Sequence, residues 1–420
     1  MAAEGIALDP ARIRELFDLR SAVYTKMGGG FEEDPYPAFH RLRESGPVHP
    51  GTVGRLVGFQ GEEFFHGLPE PERPHFSVFD FETCDAIIRN PEVFRMAPPD
   101  PDEGERALHE SSILYMDGDR HRRYRALVQP SFVPSRAQWW IKNWIETTVR
   151  ALVDAIEANG RADLNVEFCA AIPLLTICGS FGVSVEDALD IRAAVTSGGQ
   201  GESVQRFMQI VHPIVVARRE HPGDDLISVL VQAELTEGGE THVLSDAEIL
   251  SFSFLLMAAG SGTTWKQMGT TLATMLDRPD LVDAVRADRS LLAAVVEEGV
   301  RWMPTDPVFS RYLWEEVTVH GVTMPVGAVT HQCYGAANRD PARWDRPDEF
   351  DPIRTQRTHL AFGNGPHICV GMHVARAEMT TAINALLDRL PNLRLDPDAE
   401  PPAIIGMYER GPTAVPAVWG

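Results

Sequence analysis

The segment Phe362-Gly-Asn-Gly-Pro-His-Ile-Cys-Val-Gly371 sets a single thiol, Cys369, on a loop carrying two close glycines, a proline and a histidine, just before a helix start. Gly363 and Gly365 permit positive φ and close approach of the backbone to a flat ligand, while Pro366 fixes the turn without needing its missing donor. Backbone N–H groups at the helix start, with the positive end of its dipole, would hydrogen-bond the sulfur and favour thiolate. A thiolate can ligate iron. A cysteine standing alone is more often a buried apolar filler, and the spacing around this one argues against that reading. A dinucleotide loop is excluded, because Gly363, Gly365 and Gly371 do not fit G-x-G-x-x-G and no ribose-binding acid accompanies them.

A thiolate bound axially to haem iron favours O–O cleavage, so this ligand type goes with oxygen activation. The loop resembles the cytochrome P450 signature Phe-x-x-Gly-x-[His/Arg]-x-Cys-x-Gly, matched in full by Phe362, Gly365, His367, Cys369 and Gly371. The resemblance implies that Cys369 is the proximal ligand of haem b and that Phe362 packs near the sulfur. It further implies that Gly363 and Gly371 belong to the cofactor-binding loop and that His367 reaches a haem propionate. Other motifs recur in the family's order. Glu298 and Arg301 share a helix face, and the family joins such a pair to a later arginine, here Arg354, to brace the core behind the haem. His121 and Arg125, one helical turn apart, resemble the family's propionate-binding pair, with Arg311 of Phe309-Ser-Arg311 as a third contact. Ala337-Asn-Arg-Asp-Pro341 and Asp224-Asp-Leu-Ile-Ser228 complete the set.

Three helices must position these residues. Ser245, with Glu248 three residues on, is a capping box ahead of an apolar run that could extend to Pro279. A second helix follows Asp288, places Leu291, Leu292, Val295, Val296, Val300 and Met303 on one face, and stops at Pro304. A third starts after Cys369 and carries Met379, Ile383, Leu386, Leu387 and Leu390 to Pro391. Short strands are expected at Val317–Val319 and Val322–Val329, giving a mainly α fold with small β-sheets.

The first helix carries Ala258-Ala-Gly-Ser-Gly-Thr-Thr264, with two glycines in mid-helix, each disfavoured by ~1 kcal/mol relative to alanine. The resembling family opens this helix to make an oxygen site, and its Ala-Gly-x-[Asp/Glu]-Thr-Thr pattern aligns Thr263 with the alcohol that steers protons. The acid position is Gly262, which leaves no helix carboxylate beside Thr263. Water, Ser261 or the substrate would have to replace it, and Gly262→Asp or Gly262→Glu is expected to improve coupling.

Composition bounds the rest. A net charge of -22 over 420 residues repels phosphate backbones and anionic lipid, so nucleic acid is not expected as a partner. Five scattered cysteines without a Cys-x-x-Cys pair suit a reducing cytoplasm rather than a disulfide framework. The N-terminus is broken by charges, and the apolar stretches Phe168–Val183 and Ile249–Gly260 read as buried core helices, so no membrane association is expected. No repeat or linker divides the chain, which is expected to form one catalytic domain, 1–420, with an N-terminal extension over 1–33.

The resemblance implies a monooxygenase that inserts one oxygen atom of O2 into a small apolar molecule by hydroxylation, demethylation or epoxidation. NAD(P)H-derived electrons would arrive through a ferredoxin and its reductase, docking at Arg120, Arg122, Arg123 and Arg376. Substrate contacts are expected from Ala97–Tyr115, Val183–Val211, Thr305–Phe309 and Ile405–Tyr408, with Met257, Ala259, Val308 and Ile405 lining the site. Gly262 keeps two alternatives open: another haem-thiolate class (peroxygenase, coupling or dehydration) and a non-catalytic haem sensor or ligand carrier.

Overall fold

The protein is seen here as a computed structural model that describes residues 8–18, 31–61, 63, 72–101, 103, 112–197, 200–237 and 239–420. About 53% of it is helical. The central element is a helix over Asp246–Leu276, preceded by Gly118–Val128 (α1) and Ala171–Ser180 (α2) and here labelled α3. Its capping box is present on both sides: Glu248 N–H donates to Ser245 Oγ, and Ser245 N–H donates to Glu248 Oε2. Asp277 caps its C-terminus, and Pro279 opens the next short helix, so α3 ends three residues before that proline. The helix is apolar around most of its circumference because it threads the main core, where Trp265, Met268 and Leu272 are buried.

Helix α4, Leu291–Trp302, buries Leu292, Val295, Val296 and Val300 on the face that its spacing predicts. Leu291 and Met303, at its ends, are only half-buried. Helix α5, Met372–Arg389, buries Met379, Ile383, Leu386 and Leu387 against the same core. The stretch Phe168–Val183 is core as expected, although it first turns through a π-helical segment, Asn165–Cys169, before α2 begins. Among the described residues no single helix is long and apolar enough to cross a membrane.

Beside the helices lies a mixed five-stranded sheet. Its strands are β1 (Val48–Pro50), β2 (His75–Val78), β3 (Phe94–Arg95), β4 (Val308–Leu313) and, after a hairpin of β5 (Val317–Val319) and β6 (Val322–Met324), β7 (Val329–Cys333). The order is β1-β2-β7-β4-β3, parallel only between β2 and β7. The expected strand Val322–Val329 is therefore two strands. Pro325 cannot donate to a ladder and Gly327 sits at φ +79°, so the chain turns there and Val329 begins the sheet's central strand. A last hairpin, β8 (Ile404–Ile405) and β9 (Gly411–Pro412), packs on α3.

Part of the expected N-terminal extension is docked rather than loose. The helix Pro10–Phe17 buries Ile13 and Phe17, and the Phe17 ring meets Trp265 of α3 edge-on at 5.7 Å between centroids. Residues 1–7 and 19–30 lie outside the described residues, as do 104–111 and 198–199 of the expected substrate segments.

Candidate haem-binding site

Positive φ at Gly363 (+68°) and Gly365 (+69°) folds the cysteine loop, and Cys369 N–H closes it on the Phe362 carbonyl at 2.8 Å. At Gly365 a Cβ would lie 2.7 Å from the Ile88 carbonyl oxygen, so only glycine fits there. Asn364 accepts from the Gly365 N–H and donates to Asp85 at 2.6 Å, tying the loop to the helix Phe81–Ile88. The Arg376 guanidinium covers the Phe362 ring at 4.5 Å.

Cys369 is accessible although protein packs closely around it. On α3, Ala258 and Ala259 are exposed in mid-helix, and Thr263 one turn on is half-exposed. Ala259 and Thr263 share one helix face, and the Thr263 hydroxyl donates to the Ala259 carbonyl at 2.8 Å. Helical geometry is continuous through this stretch, so the expected opening of the helix takes the form of small exposed residues and not of a break.

The expected thiolate preference needs correction. Burial pushes the Cys369 thiol up, and the Gly371 N–H and the charges of Arg125 and Arg376 reverse only part of that; Asp306 adds to the rise. The helix-start donor is present, but desolvation outweighs it, so a bound cation must supply the remaining stabilisation of the anion.

Four basic side chains converge beside the loop. The His121 ring, on α1, stacks on His367 with centroids 4.0 Å apart. Arg125 donates to the Ile368 carbonyl at 2.5 Å. Arg311, on β4, is 5% exposed and donates to the Ser310 carbonyl; among the described residues it has no carboxylate within ion-pairing distance. Burial, with the charges of His367, Arg125 and Arg311, holds His121 down to about 3, so it is neutral and can donate one hydrogen bond. Asp117, a residue to which the sequence reading gave no role, accepts from Met96 N–H and Ala97 N–H and stands 3.9 Å from His367.

A planar, dianionic macrocycle fits this arrangement. The buried Arg311, with no carboxylate partner among the described residues, calls for an anion, and Ala258 and Ala259 of α3 are accessible. Among the described residues no group of three His, Cys, Asp or Glu side chains could hold a bare metal ion, so the other ligands of an iron on Cys369 would come from the macrocycle.

Behind the site, Glu298 and Arg301 are fully buried. Arg301 donates from Nε and Nη2 to the two Glu298 oxygens at 2.8 and 2.7 Å. Arg354 Nε adds a bond to Glu298 Oε1 at 2.8 Å, and Asp351 N–H another at 2.9 Å. The remaining guanidinium protons of Arg301 go to the carbonyls of Asn338, Pro347 and Glu349. Asn338, in the Ala337-Asn-Arg-Asp-Pro341 motif, accepts from Leu360 N–H at 2.7 Å and so carries this brace into the cysteine loop.

The four expected pocket residues separate. Ala259 is exposed and Ile405 is half-exposed, but Met257 is buried in the main core, and Val308 packs with Phe39, Phe79 and Cys333 in a separate one. Side chains alternate along β4, which turns Val308 away from the face that presents Phe309. In the expected docking patch, Arg122 and Arg123 are exposed, with Arg122 paired to Asp119, while Arg376 is held by Glu297 at 2.7 and 2.8 Å and Arg120 lies over the Tyr124 ring.

Comparison with known proteins places this geometry. A family model described as Cytochrome P450 matches residues 200–406. The chain is 33% identical over 346 residues to the mycinamicin IV hydroxylase/epoxidase of Micromonospora griseorubida, covering 79% of this chain and 85% of that protein. It is 30% identical over 383 residues to the monooxygenase PikC of Streptomyces venezuelae, covering 88% and 87%. Among solved structures, the cytochrome P450 PksS of the Bacillus subtilis bacillaene polyketide synthase superposes with a TM-score of 0.80 at 25% identity, covering 93% of this chain and 97% of that one.

Proposed function

This chain belongs to the cytochrome P450 family of haem b monooxygenases, which take O2 and NAD(P)H-derived electrons, and on that premise we propose that Cys369 is its iron ligand and a small apolar molecule its substrate. The observation that carries the assignment is the convergence of the Cys369 loop with four basic side chains, His121, Arg125, Arg311 and His367. When bound, the haem supplies the oxidant that inserts one atom of O2 into the substrate.

This chain's own residues supply the setting. Gly363 and Gly365 hold the loop that would bring Cys369 to the metal, and Arg376 covers the Phe362 ring beside it. Arg311 and Arg125 would neutralise the propionates, and neutral His121 would donate to one of them. The Glu298–Arg301–Arg354 brace fixes the loop from behind. Thr263, on α3, would hold a hydroxyl at the oxygen side.

Hydroxylation or epoxidation is the reaction proposed, by analogy with the relative named for both activities. The family draws its electrons from redox partners. For this chain a ferredoxin and its reductase are proposed, with exposed Arg122 and Arg123 as the basic contact and the cytoplasm, as one catalytic domain, as the setting. The test is the spectrum of the reduced, carbon-monoxide-bound protein. Wild type should show the red-shifted Soret band of thiolate ligation and Cys369→His should lose it while still binding haem; retention of the band in that variant would overturn the assignment.

A further inference from the structure

Resting on the reading that Thr263 stands at the oxygen side of the haem, we infer that Glu409 supplies from the β8–β9 hairpin the carboxylate that α3 lacks at Gly262, and relays protons toward the Thr263 hydroxyl. A Cβ added at Gly262 would lie 3.1 Å from Glu409 Oε1 and within 4 Å of nothing else. The space that a side chain at 262 would enter is thus filled by a carboxylate from another part of the chain. One turn further along α3, Lys266 meets the same oxygen, Nζ to Oε1 at 2.6 Å, with only 7% of its side chain exposed. Positions 259, 262, 263 and 266 share one helix face, so carboxylate, ammonium and alcohol face the same side.

The hairpin presents Glu409 rigidly, since both of its neighbours are buried and tied. The Tyr408 hydroxyl accepts from Gly54 N–H at 3.1 Å and donates to Glu63 at 2.7 Å. Arg410 N–H donates to the Thr305 carbonyl at 2.6 Å, and its guanidinium donates to the carbonyls of Gly406 and Ile404. Gly406, at φ +99°, makes the turn that this requires.

A third member, Asp306, sits just past Thr305, with its Oδ1 buried and lacking a hydrogen-bond partner. Burial and then the Glu409 charge push its carboxyl up to about 8, while Lys266 pulls it back. Asp306 therefore keeps its proton at neutral pH, and with Glu409 it makes a pair of acids near one ammonium. Arg192 is the other charged group that feels Glu409. A proton leaving this pair toward Thr263 is replaced from water at Glu409, whose side chain is 16% exposed. On this reading a second acid from Gly262→Asp would crowd Glu409 in the wild-type background and hinder coupling, opposite to the expectation from the sequence.

The test uses haem-loaded protein with a plant ferredoxin, its NADP reductase, NADPH and O2, without substrate. In this reaction two electrons and two protons convert O2 to H2O2. Glu409→Gln should slow peroxide formation at least about tenfold, deuterated solvent should slow the wild type, and Gly262→Glu combined with Glu409→Gln should regain most of the rate. The thiolate carbon-monoxide band and the anaerobic rate of its appearance should be the same in all three proteins. An unchanged peroxide rate in Glu409→Gln, or no rescue by the double variant, overturns the relay. Absence of the band from wild type instead overturns the haem-thiolate reading. Should Glu409→Gln fail to hold haem, Glu409→Asp replaces it: a slower rate with a larger isotope effect supports the relay, and a wild-type rate overturns it.

Discussion

His121 and His367 stack face to face at 4.0 Å although they come from α1 and the cysteine loop, and Arg311 of β4 lies within the field of both. His121 is neutral and offers one ordinary hydrogen bond, whereas Arg311 offers a charge with no carboxylate partner among the described residues. Haem loss to apomyoglobin should therefore accelerate roughly 10- to 100-fold in Arg311→Ala and no more than about tenfold in His121→Ala. Equal effects would show that Arg311 does not hold an anionic group.

Removing the Arg301 guanidinium would leave the fully buried Glu298 tied only to Arg354 and one backbone N–H. Arg301→Leu is expected to lower stability by about 3–5 kcal/mol, read as the shift of the urea midpoint. Arg354→Leu should cost less, because Glu298 keeps both bonds from Arg301.

Two glycines of the loop have the same φ and different surroundings. Gly365→Ala drives a methyl into the Ile88 carbonyl and should displace the loop, so the variant loses haem or its thiolate spectrum. At Gly363 a Cβ meets nothing closer than 3.8 Å, and Gly363→Ala should pay only the conformational strain of about 1 kcal/mol. Comparing the two in thermal melts and carbon-monoxide spectra separates strain from collision.

Acid should loosen the contact between α4 and α5. Burial alone would raise the Glu297 carboxyl, but hydrogen bonds and charges from His359 and Arg376 bring it down to about 2. A carboxylate lowered by folding contributes stability that is complete above its unfolded value near 4.5 and disappears as pH falls through the folded value near 2. With the pair partly open to solvent, the contribution is on the order of 2 kcal/mol. Glu297→Gln should remove that much of the loss in stability between those limits, measured by denaturation at stepped pH.

Local signals in the chain were the legible ones. The cysteine loop, the Ser245–Glu248 cap and the Glu298–Arg301 spacing each lie within ten residues, and their geometry follows from helix periodicity and turn chemistry. Arg354 was reachable only through the family pattern, since 53 residues separate it from Arg301. Glu409 was not legible at all: nothing in its flanking residues signals that a hairpin will carry it to Gly262, some 147 positions earlier in the chain. Val308 misled because an apolar residue near the site can face either side of its strand, and Arg376 because a basic residue says nothing of whether Glu297 already holds it. The protonation of Cys369 was misjudged for a related reason. Donors can be read from a helix start, but desolvation depends on everything packed around it.

Of the five cysteines, Cys84, Cys169, Cys178 and Cys333 are buried, and burial pushes each of their thiols up. They serve as small apolar fillers that alkylating reagents cannot reach while the core is closed. Sulfhydryl counting under native conditions should accordingly consume at most one equivalent, and each further equivalent would report molecules that have opened, giving a label-based clock for unfolding without any introduced probe.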